Sequence, residues 1–338
     1  MAAGSGTTVS QNRLVDALRL AGLDAELRYH SQFATSRGEL EERRWRNAQL
    51  QVEGCDAVIG VDGEGWMWAA KPRRIPYIAF CEAVLANVLP FEQGQTRELL
   101  QAQAHWEGAA AQAADAVVAR SEYAAGCVAE AYGIPRERVE VVPIPFDLDA
   151  WRTALPALPK EPLVLGAGHC YPRKNYGALL EAWREVAMVR PDARLTVAGM
   201  GPETARLQRL ASGLTGVSLP GHVPFSELLA LHARASVFCH PSLQENFGIA
   251  VVEGLASGAS LVAHDLPAVR ENAAGVPGVW LVDARNPLAL ARALIEALGA
   301  PAPWPANRLD RLRHKLDPAG VAKQVAEIVR RSRAERQR

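Results

Sequence analysis

The chain has 338 residues, 49% of them hydrophobic and 22% charged, a make-up that excludes a disordered or fibrous protein. At roughly 100 to 200 residues per domain, the length predicts two domains. Lysine plus arginine and aspartate plus glutamate both number 37, so the formal net charge is zero and no overall field draws in nucleic acid or an acidic membrane.

In chain order, residues 1–6 form a small glycine-containing loop that runs straight into an amphipathic helix carrying Val9, Leu14, Leu18 and Ala21. A doubly wound domain normally opens with a strand before such a loop. The expectation is therefore that the first strand is missing through a start placed too late; the alternative is a first sheet built without it. From about residue 56, short β-branched runs alternate with helical patterns, the mark of parallel sheets with crossover helices. Strands are predicted at 56–61, 76–80, 116–119 and 139–142, with helices between them that include 95–114 and 121–132. Ser121 is the expected N-cap of the latter, with Glu122 in its first turn. Prolines 143 and 145, then 156, 159 and 162, break the pattern and mark a boundary between domains at 1–157 and 158–315. A second series follows, with strands at 163–167, 194–198, 217–219, 236–240, 260–263 and 279–282. Its helices are predicted at 175–189, 203–212, 226–235, 248–257, 268–273 and 287–298. Two α/β doubly wound domains in tandem is the architecture implied. After Trp304 the chain turns basic; the stripe of Val321, Val325, Ile328 and Val329 predicts a C-terminal helix at 316–333 that packs back on the first domain. Its terminal arginines (Arg330, Arg331, Arg333, Arg336 and Arg338) read most simply as a solvated tail, peripheral membrane contact being the less favoured alternative.

The five cysteines (Cys55, Cys81, Cys127, Cys170 and Cys239) are scattered with no C-x-x-C pair, which argues against a disulfide framework or structural zinc and fits a reducing, cytoplasmic setting. No apolar run reaches the roughly 18 residues of a membrane span, and the N-terminus lacks a signal-peptide layout. The eight histidines form no H-x-x-x-H or H-E-x-x-H motif, so no metal and no cofactor is expected. His240, at a predicted strand end near Glu245, reads equally as a donor contact or as a satisfied core histidine.

The strongest chemical signal runs from Pro241 to Gly258. A strand ends in a loop, and a helix begins near Asn246, Phe247 and Gly248, so backbone N–H groups and the positive end of a helix dipole face the crevice at the strand's C-terminal edge. Glu245 precedes that helix and Glu253 follows two turns on, roughly 10 Å away, so the two carboxylates address different parts of a ligand. Carboxylates facing hydroxyls suit the reading of a polyol. A helix cap plus a surface glutamate would explain either residue alone, but not the full string.

That string, with Glu245-Asn-Phe-Gly-Ile249 and Glu253, closely resembles the E-x7-E motif of the retaining GT-B glycosyltransferases, in particular glycosyltransferase family 4. The resemblance implies two Rossmann-like doubly wound domains facing a cleft. It implies that Glu245 and the amides of Asn246, Phe247, Gly248 and Ile249 hold the donor sugar and diphosphate, and that Glu253 binds the ribose of the nucleotide. A second stretch, Gly168-His-Cys-Tyr-Pro-Arg173-Lys174-Asn175, follows a predicted strand and opens a helix. It resembles the family's diphosphate loop, in which Lys174, with Arg173, neutralises the leaving nucleoside diphosphate; solvated basic residues are the alternative. The family usually carries an arginine where Gly168 or His169 stands here. Gly6, within Gly4-Ser-Gly-Thr7, resembles the acceptor domain's glycine-rich loop, a flexible tail being the alternative. The acceptor half departs most, since the family's histidines after the third and fourth strands are replaced by stretches containing Glu64 and Glu82. These carboxylates orient an acceptor hydroxyl or act as its base, or else they are helix caps or surface groups.

The resemblance, most specific from 160 to 275, implies metal-independent transfer of a hexose-type sugar from a nucleoside diphosphate sugar to an acceptor hydroxyl, with retention at the anomeric carbon. The partners implied are the nucleotide sugar and an acceptor that the sequence does not identify, and no nucleic acid. The alternatives are another GT-B enzyme, such as a nucleotide-sugar epimerase or a sugar phosphorylase, and a non-catalytic partner subunit.

Overall fold

In the computed structural model, residues 6–29, 34–300 and 304–337 are described. They form two compact units, one comprising Thr7–Phe146 and Lys315–Arg338, the other Asp147–His314. Each is an α/β layer structure in which β-branched runs form parallel strands, as their alternation with helical patterns predicts. All ten predicted strands are present. No helix among the described residues is long and apolar enough to cross a membrane.

The first unit carries strands β1 (Val58–Val61), β2 (Tyr77–Cys81), β3 (Ala116–Ala119) and β4 (Val139–Val141), all parallel and hydrogen-bonded in that order. Every residue of β2 is buried, because the two-residue period of a strand sends its side chains to both faces and helices cover each. Tyr77, Ala79 and Cys81 pack with Ala124, Ala125 and Val128 of helix Glu122–Tyr132. Ser121 caps that helix, accepting the Ala124 N–H at 3.0 Å. Ile78 and Phe80 pack with Leu14 and Leu18 of helix Gly6–Leu20 and with Val321, Val325 and Ile328 of helix Pro318–Gln337. Three of the C-terminal arginines are not simply a solvated tail; Arg330 is exposed and pairs with Glu327 on its own helix, and Arg338 lies outside the described residues. Arg331 pairs with Glu140, Arg333 lies 2.8 Å from Asp56, and Arg336 donates to Asp115 at 2.6 Å, so acidic groups of the same unit take up their charge.

Polar side chains fix the C-terminal ends of β1 and β2. Asp62, just past β1, is fully buried with φ +49°, a left-handed conformation that costs a non-glycine residue free energy. Its Oδ1 accepts the N–H groups of Glu82 and Ala83 at 2.8 and 2.9 Å, so the strained residue ties the loop after β2 to the loop after β1. Glu107, on helix Gly94–Ala113, likewise accepts the Leu85 N–H at 2.7 Å and the Tyr132 hydroxyl. Asp62 and Glu107 are both buried, and neither Asp62 Oδ2 nor Glu107 Oε1 receives a hydrogen bond among the described residues. Burial, then the like charges of Glu107 and Glu82, hold the Asp62 carboxyl well above the usual range. Arg43 completes the frame, donating to the Asp62 carbonyl at 2.6 Å and to Gln103 Oε1 at 2.5 Å.

The second unit carries β5 (Glu161–Ala167), β6 (Arg194–Ala198), β7 (Val217–Gly221), β8 (Ala235–His240), β9 (Ser260–His264) and β10 (Val279–Val282). The spatial order is β10-β9-β8-β5-β6-β7, all parallel. The chain starts in the middle at β5, winds outward to β7, then returns to place β8 against β5 and winds out the other way. The reversal leaves a crevice at the C-terminal ends of β5 and β8, the usual place for a ligand in a doubly wound sheet. Beside it the loops after β5 and β6 meet backbone to backbone, the Gly168 and Cys170 N–H groups donating to the carbonyls of Ala198 and Met200 at 3.0 Å each. A Cβ on Gly199, whose φ is +145°, would lie 1.9 Å from the Gly168 carbonyl oxygen.

The helices that were not predicted include two that matter to the packing of their units. Arg37–Ala48 buries only Arg43 and Asn47, so it has no apolar stripe to read. Leu148–Ala154 lies between the proline clusters, started by Asp147, which accepts the N–H groups of Asp149 and Ala150 at 3.0 and 2.8 Å.

Gly199→Ala must push the β5 and β6 loops apart and is expected to cost about 2–4 kcal/mol, read as a Tm loss of roughly 4–16 °C. Asp62 gives a pH test. An acid with a raised folded pKa binds more protons folded than unfolded, so its contribution is lost as pH rises from the ordinary 3.8 through the raised value. Asp62→Asn keeps the Oδ1 acceptor and supplies an N–H toward Glu107. Its Tm relative to the parent is expected to rise between pH 5 and pH 8, whereas Asp62→Ala strands two buried N–H groups at about 1–3 kcal/mol.

Candidate functional site

At the end of β5 the chain passes Gly168 and makes a tight turn over Pro172–Lys174, then Asn175 with φ +55°, before helix Tyr176–Val189. Arg173 and Lys174 thus sit in the turn ahead of the helix. Asn175 holds the turn by donating to the Ala284 carbonyl at 2.9 Å. At the end of β8 the chain leaves His240 and enters helix Ile249–Ala256 through Gly248, whose φ of +76° lets the loop reverse into the helix. The two loops are stitched together, since the Arg173 carbonyl accepts the Leu243 N–H at 2.7 Å and the Ser242 hydroxyl at 3.3 Å.

This stitching brings Lys174 against Glu245. The Lys174 ammonium pairs with Glu245 Oε1, the two side chains being 16% and 13% exposed, and His240 Nε2 reaches the same oxygen at 2.9 Å. Burial works against ionising Glu245, but Lys174, His240 and more distantly Arg173 outweigh it and hold the carboxyl well below the usual range. Burial also lowers Lys174, with Glu245 opposing and Arg173 adding to the shift. His240 moves down chiefly through burial, against the pull of Glu245. Arg173 stacks its guanidinium over Tyr171 at 5.7 Å, and its Nε is buried without a hydrogen-bond partner. Nearby, burial and then the charges of Lys174, Arg173 and His222 push the His169 imidazole down, toward its neutral form at pH 7.

The helix beginning at Ile249 is fixed at both ends. Before it, Asn272 donates to the Phe247 carbonyl at 2.7 Å and Gln244 donates to Asn246 Oδ1 at 3.1 Å. Behind it, Arg308 donates to the carbonyls of Leu255 and Ala259 at 2.9 Å each, and Lys160 donates to that of Ser257 at 2.8 Å. Cations at the helix's C-terminal end complement its dipole and leave the positive N-terminal end at the crevice. Glu253 follows Ile249 by one turn on this helix and is partly exposed. Gly168, Arg173, Lys174, Glu245, Asn246, Phe247, Gly248, Ile249 and Glu253 therefore lie on the loops and helix at the ends of two adjacent strands.

Of the other three expected residues, Glu64 and Glu82 belong to the first unit and Gly6 groups with the second. Gly6 opens helix Gly6–Leu20 instead of lying in a loop, and residues 1–5 of the expected glycine-rich loop lie outside the described residues. Glu64 is held by Arg43 and Asn47, each at 2.7 Å. Glu82 accepts from Arg120 Nε and from Ser10, each at 2.8 Å. Both are largely enclosed, at 14% and 5% exposure, and each is balanced by an arginine that the sequence reading did not identify. Arg43 and Arg120 had no local signal, because their partners lie up to 110 residues away in the chain. Among the described residues, no group of three or more His, Cys, Asp or Glu side chains is placed to hold a metal ion.

The sequence profile described as "Glycosyl transferases group 1" matches residues 161–300, and that of "Glycosyltransferase Family 4" matches residues 24–150. A D-inositol 3-phosphate glycosyltransferase of Segniliparus rotundus is 30% identical over 278 residues, which span 75% of this chain and 58% of that protein. The chain spans about half the length of the curated relatives it matches. Among solved structures, a sucrose-phosphate synthase from Thermosynechococcus elongatus superposes with a TM-score of 0.73 at 19% identity, covering 98% of this chain and 94% of that one. HepE from Anabaena, in complex with UDP and glucose, gives 0.65 at 16%, covering 96% and 95%. The fold is GT-B, two Rossmann-like domains, and with both profiles matched in chain order the protein belongs to the group 1, family 4 glycosyltransferases.

Proposed function

We propose that this protein transfers a hexose from a nucleoside diphosphate sugar to an acceptor hydroxyl, with retention at the anomeric carbon and without a metal or other cofactor. The observation that carries the reading is the buried Lys174–Glu245 pair beside the unmatched Arg173, at the ends of β5 and β8. A diphosphate is the ligand that suits a lysine, an arginine with an unused buried donor and a helix N-terminus. Lys174 and Arg173 stabilise the negative charge that builds on the leaving diphosphate, with the amides of Asn246, Phe247, Gly248 and Ile249. Gly168 brings backbone close to the phosphates, Glu245 accepts hydroxyls of the sugar, and Glu253 accepts those of the ribose.

In the favoured route the C1–O bond to the β-phosphate breaks as the bond to the acceptor oxygen forms on the same face, and the acceptor proton passes to the leaving phosphate oxygen. Lys174 and His240 both engage Glu245 Oε1 and hold the carboxylate's charge, which favours a role in accepting hydroxyls over attack on the anomeric carbon. Glu64 and Glu82 shape the acceptor side through their arginine pairs. Acceptors named among the relatives, inositol 3-phosphate and phosphatidyl-myo-inositol, favour a phosphorylated or lipid-linked polyol. A cytoplasmic setting follows for a nucleotide-sugar donor. Membrane contact through the C-terminal helix has less support, since Arg331, Arg333 and Arg336 are matched internally.

A thermal-shift panel of UDP, GDP and ADP, and of their glucose or mannose conjugates, tests the donor site. One nucleotide is expected to raise Tm by a few degrees, as ligand at roughly 100 times Kd adds about 2.7 kcal/mol. Glu253→Ala is expected to abolish that shift, and Lys174→Ala to remove turnover. Absence of any shift with all three nucleotides overturns the reading.

A further inference from the structure

His240 is 3% exposed at the end of β8, and its ring belongs to a stacked column. It lies over Phe238 with ring centres 6.4 Å apart and planes 15° apart, and Phe238 lies over His232 at 5.4 Å and 18°. Trp151 meets His232 edge-on at 5.4 Å, and Ser257 Oγ holds His232 Nδ1 at 3.2 Å, so the column is fixed from behind. The ring in front cannot turn without unstacking. Its Nε2 is aimed at Glu245 Oε1, an oxygen that can only accept, so the proton of the imidazole sits on Nε2. Lys174 also donates to Oε1. Both donors converge on one oxygen of the carboxylate, and among the described residues Oε2 receives no hydrogen bond.

This asymmetry has a cause in chemistry. A lysine alone beside a carboxylate can swing to bridge both oxygens, closing them to any ligand. A second, rigid donor on Oε1 prevents that rotation. We propose that His240 is a positioning residue for Glu245: locked by its ring stack, it pins Oε1 and so reserves Oε2 for a hydroxyl of the transferred sugar. The inference rests on the sugar-transfer reading for the identity of the ligand, but the pinning is a property of the unliganded protein. His240 touches no donor itself in this account. The charged and titratable groups facing the pair are Lys174, Arg173 and Tyr176, and His232 behind the column is held neutral by burial and by Lys160, its pKa pushed down to about 3.

The first test needs no turnover. In imidazole 15N spectra of the full chain, the His240 resonance, identified by its loss in His240→Gln, is expected as the neutral Nε2–H tautomer throughout pH 5.5–8.5, and to shift in Glu245→Gln. An Nδ1–H tautomer, or protonation near the ordinary histidine value, overturns the proposal even if the protein proves to be a glycosyltransferase. The second test separates positioning from structural support, using whichever of UDP-glucose, GDP-mannose and ADP-glucose is turned over. His240→Phe keeps the stack and removes the donor. It is expected to raise KM for the nucleotide sugar or lower kcat by 10-fold or more, to move the acidic limb of kcat/KM to higher pH, and to leave affinity for the free nucleoside diphosphate within 2-fold. His240→Gln restores an N–H toward Oε1 and is expected to recover most of the loss. Equal impairment of both variants with lost nucleotide affinity, or no effect in either, overturns it. If no conjugate is turned over by the parent protein, the transfer reading fails and the spectra alone decide whether Glu245 is pinned.

Discussion

A lysine and a glutamate held out of bulk water at the ends of two adjacent parallel strands is the constraint around which the second unit is arranged. Such a pair contributes little net stability, because the desolvation of two charges roughly offsets their attraction. Its position therefore has to be imposed by the surrounding structure. The return of the chain to lay β8 beside β5 sets the two loops side by side, and the backbone bonds from Leu243 and Ser242 to Arg173 lock their spacing. The contact of Gly199 with Gly168 holds the β5 loop from its other flank. Arg308 and Lys160 anchor the far end of the helix that starts at Ile249. Burial lowers those two cations to about 10 and about 8, a cost met by the carbonyls they satisfy.

The first unit solves its polar problem differently. There, buried carboxylates outnumber free cations at the ends of β1 and β2, and the balance is struck partly with arginines and partly with a retained proton. Glu64 and Glu82 each take an arginine, while burial holds the carboxyls of Asp62 and Glu107 above the usual range, toward their protonated forms. The outcome in both units is backbone held in place by side chains that are themselves over-constrained. In the first unit the held backbone is strained, since Asp62 and the β-branched Val84 both have positive φ, at 49° and 41°. Strain of this kind persists only where surrounding contacts over-determine it. The hydrogen bonds from Glu82, Ala83 and Leu85 to the carboxyl pair are those contacts.

What the sequence made legible follows from range. Strands such as 194–198 and 279–282 declare themselves because every residue of the signal is local, and Ser121 was readable as a cap because its partner is three residues away. The donor-side string from Glu245 to Glu253 was legible for the same reason. Helix Arg37–Ala48 was not, because its buried residues are an arginine and an asparagine whose partners lie on other elements. The C-terminal arginines read as solvated because Glu140, Asp56 and Asp115 are distant in the chain. Composition alone cannot distinguish a charge facing water from one facing a charge brought by the fold.

That distinction returns to the balanced charge of the chain, 37 positive and 37 negative. The proposed diphosphate ligand calls for local imbalance in a neutral protein, and the fold creates such imbalance by satisfying arginines elsewhere. Arg43, Arg120, Arg331, Arg333 and Arg336 are matched by carboxylates of the first unit. In the second unit Arg270, Arg285 and Arg313 are matched too, largely at the surface, where such pairs contribute little to stability but do cancel charge. Arg173 differs from these: among the described residues its buried Nε has no hydrogen-bond partner, and its neighbour Lys174 pairs with Glu245. The local surplus is therefore about one positive charge in an enclosed crevice with a helix N-terminus beside it. In a medium of reduced dielectric that surplus acts on a phosphate far more strongly than a basic surface would, and it does so without drawing other polyanions to the rest of the molecule.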